Sequence, residues 1–102
     1  MNFNSDPDFE PYFYDEATGD GLVTGKYVLL RGIQVLEVPD VAISIKNGAS
    51  GAVVLTIPAS TAVGTRFDCY DVKLSEGAYM VTGAATAGQF SFVAKKYVKG
   101  QI

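Results

Sequence analysis

The side chains able to do chemistry in this chain are few and spaced against cooperation. Asp68 and Asp71 form the close acidic pair of the chain beyond residue 20, and with Glu76 they would be the material for a calcium site or a glycosidase carboxylate pair. In a strand, residues three apart point to opposite faces, so the two aspartates do not share a ligand and read as solvated strand and turn residues. Cys69 is the only cysteine and the chain has no histidine, so no internal disulfide can form and no imidazole can activate the thiol. Cys69 reads as a small buried hydrophobe on the face of Phe67. The absence of histidine also removes the side chain that titrates near neutrality and the commonest zinc ligand. The expectation is a protein that is not an enzyme and uses no cofactor and no metal.

Two further clusters carry a binding reading and a plainer one. Gly19-Asp20-Gly21 is a fragment of many glycine-rich phosphate loops, but no helix and no Lys-Ser/Thr pair follows it, so it reads as a turn. Lys95, Lys96 and Lys99, with Phe92 and Tyr97, would make a nucleic-acid strip. Lys95 and Lys96 however point to opposite faces of a strand, and the chain carries a net charge of −3. Phosphate-backbone binding draws on a positive field that this chain lacks, so no nucleic acid is expected. The lysines instead guard an edge strand or meet an acidic segment of a neighbour.

The charge is unevenly divided. Residues 1–20 hold Asp6, Asp8, Glu10, Asp15, Glu16 and Asp20 and no basic residue, a charge of −6; the other 82 residues hold eight basic and five acidic side chains, a charge of +3. The same first segment carries Phe3, Phe9, Tyr12, Phe13 and Tyr14, interleaved with Pro7 and Pro11. No helical or period-two pattern runs through it, and the prolines favour an extended or polyproline-like arm rather than a regular element. Aromatic rings are costly to leave in water, so these five are the candidate contact residues of the arm, either on its own domain or on a partner.

From Gly21 to Ile102 the sequence reads as one β domain: short apolar runs separated by turn residues every eight to twelve positions. Leu22–Leu30 and Ile33–Val38 form the first strands, bent at a bulge at Arg31-Gly32. Val41, Ile43 and Ile45 alternate with Ala42 and Ser44, and Val53, Leu55 and Ile57 alternate in the same way, around the turn Asn47-Gly48-Ala49-Ser50-Gly51, which is the best-defined hairpin. Arg66–Val72 follows, with Phe67 and Cys69 on one face and Asp68, Tyr70 and Val72 on the other. Ala78–Thr82 and Gln89 to about Val98 complete the set. The fold class is all-β: a small β-sandwich or partly open β-barrel of about seven to eight mostly antiparallel strands, with an extended N-terminal arm over residues 1–20. No apolar run is long enough for a membrane span and Met1-Asn2-Phe3-Asn4-Ser5-Asp6 lacks the parts of a signal peptide, so a soluble, intracellularly made protein without membrane contact is expected.

The stretch from Gly25 to Lys99 resembles the small capsid decoration, or cement, proteins of tailed bacteriophages. The resemblance lies in the order of Gly25-Lys26-Tyr27-Val28-Leu29-Leu30, then Asn47 through Leu55, then Ala62-Val63-Gly64-Thr65-Arg66-Phe67-Asp68-Cys69-Tyr70-Asp71, then Gly77 through Thr82, and last Phe90-Ser91-Phe92-Val93-Ala94. The family usually has Gly-Asp where this chain has Gly25-Lys26 and Gly64-Thr65, and a glycine of the last strand is missing between Phe90 and Ala94. The resemblance implies a virion structural protein on the outer surface of the capsid, made in the host cytoplasm, bound to the major capsid protein and homo-oligomeric, with a trimer favoured. The alternative is a β-sandwich module for carbohydrate or a host surface on a fiber or tail, with Tyr70 or Tyr79 as the aromatic platform.

Overall fold

Period-two alternation drives the architecture, and the computed structural model describes it over residues 9–15 and 19–98. Eight strands form: β1 Glu10–Asp15, β2 Gly21–Leu22, β3 Val28–Glu37, β4 Ile43–Asn47, β5 Val53–Ile57, β6 Arg66–Leu74, β7 Ala78–Val81 and β8 Gln89–Lys96. They pair antiparallel in two four-stranded sheets, of order β1-β8-β3-β6 and β2-β7-β4-β5. The fold is a β-sandwich, and among the described residues no helix is long and apolar enough to cross a membrane. One sheet contributes Val28, Leu30, Ile33, Val35, Phe90 and Phe92 to the core and the other Ile43, Ile45, Ile57, Ala78 and Met80, all fully buried. The shortest extent of the molecule, 18 Å, is that of two packed sheets with their outer side chains.

Residues 10–15 depart from the expectation of an irregular arm. They are a regular edge strand, with Tyr12 opposite Phe92 and Tyr14 opposite Phe90. An edge position lacks one ladder, so Pro11 can sit there without a missing N–H interrupting the sheet. The alternation is Tyr12 and Tyr14 toward the core and Pro11 and Phe13 away from it. Residues 1–8, 16–18 and 99–102 lie outside the described part.

Bulges account for most other differences. The predicted break at Arg31-Gly32 is present as a register shift between Leu30 and Gly32, and it moves the buried set from Val28 and Leu30 to Ile33 and Val35. The expected strand Leu22–Leu30 is split: Gly21–Leu22 belongs to one sheet and Val28 begins the other, with Tyr27 at φ 59° where the chain crosses over. The hairpin strand begins at Ile43, not Val41. A register shift at Ile45/Lys46 leaves Val53 exposed and packs Val54 beside Leu55 against the core. In β6, Val72 packs on the same side as Phe67 and Cys69, not with Asp68 and Tyr70, because a wide bulge separates them.

Candidate functional site

Of the five arm aromatics, the described residues place four on two sides of β1. Tyr14 is buried in the core and its hydroxyl donates to the Gly19 carbonyl. Tyr12 packs against the same core, its hydroxyl 3.2 Å from Glu10 Oε2, and burial followed by that carboxylate raises its pKa. Phe9 lies on the outer side of the sheet under Arg31, whose guanidinium carbon is 3.7 Å from the ring centroid; Lys95 Nζ is 5.8 Å from the same ring. Phe13 also faces outward and is 71% exposed. Phe3 falls outside the described residues. The arm aromatics therefore divide by parity: Tyr12 and Tyr14 serve the fold, Phe9 stacks on the outer face, and Phe13 is presented to solvent.

Arg31 organises the outer face of this sheet. Its Nε and one terminal nitrogen donate to the two carboxylate oxygens of Asp71 at 3.0 and 3.1 Å, a fork held on a side chain only 16% exposed. The register pairs Leu30 with Val72 and Gly32 with Asp68, so Cys69, Tyr70 and Asp71 of β6 stand opposite the single residue Arg31. Three residues fit against one because Tyr70 and Asp71 both adopt left-handed backbone, φ 54° and 55°. Asp68 Oδ1 accepts the Tyr70 N–H at 2.8 Å and closes the turn. Tyr70 is left 84% exposed. Phe9, Arg31 and Asp71 thus form a contact run on the outer face, from the residue before β1 across β3 to β6, and sequence reasoning missed it because the bulge breaks the strand period that separated Asp68 from Asp71.

The other candidates resolve more simply. The Cys69 thiol is pushed up to about 11 by burial and by the Asp68 charge, which leaves it protonated and inert at neutral pH. Glu76 pairs with Lys26 at 3.3 Å on the surface, and Tyr79 is half-buried. Among the described residues no group of three or more His, Cys, Asp or Glu is placed to hold a metal ion. Asp20 of the Gly19-Asp20-Gly21 turn serves structure: its Oδ1 accepts the Thr82 N–H at 2.8 Å and the Thr82 hydroxyl at 2.9 Å. Asp40 does the same for Thr86, at 2.9 and 2.5 Å, and for the Ala87 N–H, while Glu37 accepts the Gly88 N–H at 2.9 Å. These three carboxylates clasp the small-residue loop between β7 and β8. The bonds hold both aspartates below the usual carboxylate range, Asp20 first through the Thr82 N–H and Asp40 first through the Thr86 hydroxyl.

No family model, curated protein or solved structure matches this chain.

Proposed function

We propose that the chain is a virion structural protein that lies on the outer surface of a phage head and cements or decorates its major capsid protein, as a homo-oligomer with a trimer favoured. The observation that carries this reading is the presentation of Phe13, 71% exposed at the edge of a rigid four-stranded sheet whose inner face is fully committed to the core. A large apolar ring held in water on a regular strand suits an interface, where aromatic side chains are enriched and charges depleted. The turn-plus-strand patterns behind the resemblance each fall on a strand or the turn leading into it: Asn47 through Leu55 on the β4–β5 hairpin, Ala62–Asp71 on the approach to and first part of β6, Gly77–Thr82 on β7 and Phe90–Ala94 on β8. Repetition over a shell converts modest single contacts into high avidity.

The test is protein composition of purified heads together with their heat resistance. Heads carrying this chain in a fixed ratio to the major capsid protein, and losing heat resistance when it is removed, support the proposal. Purified heads that contain none of it overturn the proposal.

A further inference from the structure

We infer that the outer edge of β5 is where a second copy of this chain docks, the two β5 strands pairing antiparallel about a two-fold axis at Thr56. The pairing does not rest on the capsid reading, whose favoured trimer would use a different surface.

The sheet edges differ in how they are guarded against strand addition. β1 carries Pro11 between the acidic Glu10 and Asp15, and β2 is two residues long. β6 carries Arg66, Asp68, Asp71 and Lys73 and the three-residue bulge opposite Arg31. β5 reads Val53-Val54-Leu55-Thr56-Ile57, with neither a charge nor a proline, and it ends its sheet, so among the described residues no strand lies on its outer side. Its register shift lies at its start and leaves Leu55, Thr56 and Ile57 regularly paired with β4. An uncharged edge rich in β-branched residues is a template for another strand.

Charge selects a second copy as the occupant. No charged residue occurs from Asn47 to Thr65, a stretch that holds β5 and the connections on both sides of it. Copies of a chain with a net charge of −3 repel one another, and at this edge they meet without like charges opposed. Antiparallel self-pairing of β1 would instead set Glu10 opposite the second copy's Asp15. Depletion of charge is also the compositional mark of an interface core.

The side chains fit the same axis. Ile57 is fully buried, whereas Leu55 packs on the core yet stays half-buried because β5 is the last strand of its sheet; Thr56, on the other face, is exposed. With Thr56 opposite its own copy, each Leu55 stands opposite the other chain's Ile57 on the inner face. The two apolar cores then join under one continuous sheet, and the paired threonines meet on its outer face. Each copy spends its one open edge in the contact, so assembly closes at two.

The test is the solution mass of the full chain by analytical ultracentrifugation at concentrations up to about 1 mM, with Thr56→Lys and Thr56→Glu measured alone and as an equimolar mixture. The pairing predicts a species of twice the 10.8 kDa chain mass. Either variant alone should pair at least about tenfold more weakly, because like charges meet across the axis, and the mixture should recover the pair to within a few-fold, because opposite charges meet there. Recovery in the mixture is a readout that misfolding of a variant cannot produce. A natural chain that stays monomeric, forms trimers or grows beyond two copies, a pair that both variants leave unchanged, or a mixture no tighter than the single variants would overturn the inference. The samples contain no capsid, so the outcome is separate from that of the head-composition experiment.

Discussion

At the scale of single residues, Arg31 and Tyr70 show how one bulge sets both stability and presentation. Arg31→Ala removes two charge-assisted hydrogen bonds and the Phe9 stack from a mostly buried side chain and is expected to cost about 1–3 kcal/mol in urea unfolding. Arg31→Lys should recover little of this, since an ammonium cannot form the planar fork. Tyr70→Asn should leave stability unchanged or raise it by about 0.5–1 kcal/mol, because asparagine tolerates φ > 0 and the tyrosine ring is exposed. A clear loss of stability in Tyr70→Asn would mean that the ring has a structural partner. None of this was legible in the sequence at Asp68 and Asp71. A strict strand period places them on opposite faces, and only the pairing of three residues against Arg31 shows that the period is interrupted. Cys69 was legible in part: a thiol beside Phe67 with no histidine in the chain has burial as its simplest role, and it packs against the core while remaining only half-buried.

At the scale of elements, β1 and the loop between β7 and β8 carry the informative predictions. The β1 strand was hidden in the sequence by Pro7 and Pro11, which interrupt the alternation and suggest a free arm. The pairing with β8 shows why the prolines are tolerated: the strand is an edge, and Tyr12 and Tyr14 sit opposite Phe92 and Phe90. Tyr14→Ala is accordingly expected to destabilise by about 3 kcal/mol, as for other large core truncations, whereas Phe13→Ser should change stability by less than about 0.5 kcal/mol. Equal losses in urea unfolding would contradict the parity assignment. The Arg31-Gly32 bulge was readable because glycine inside an apolar run marks a bend; the bulge at Lys46 was not, since Val53-Val54-Leu55 offers two equally apolar registers.

The carboxylate clasp adds a pH dependence. Folding lowers the pKa of Asp20 and Asp40, so their contribution is fully present above the ordinary aspartate value near about 4 and is lost as pH falls through the lowered native values. Stability should therefore decline below about pH 4, and Asp20→Asn with Asp40→Asn should flatten that decline. Amide exchange at Thr82, Thr86 and Ala87 reads the same event locally. An acid limb identical in the double variant and the natural chain would remove the clasp from the account.

At the scale of the whole molecule, the sandwich was the most legible feature. Turn residues at Pro39-Asp40, Asn47–Gly51 and Glu76-Gly77 punctuate apolar runs whose inward positions, from Ile43 and Ile45 to Phe90 and Phe92, became the core. What sequence could not supply was which face of which sheet remains available, because that depends on long-range pairing of β1 with β8 and of β3 with β6. The resulting molecule has its inner faces committed to one core and an outer face on which Phe9, Arg31 and Asp71 are locked together, with Phe13 and Tyr70 exposed on opposite edge strands. For a protein of this shape, partner affinity should depend on the edge side chains and be nearly independent of the core, so folded variants can separate binding from stability.

The most direct test of that account is quantitative binding of the full chain and of its Phe13→Ser variant to expanded phage heads that lack the chain. The account predicts saturable, repeating occupancy by the natural chain and at least ~tenfold weaker binding by the folded variant, a loss of about 1.4 kcal/mol or more. Failure of the natural chain to bind heads, or equal binding by Phe13→Ser, would contradict it.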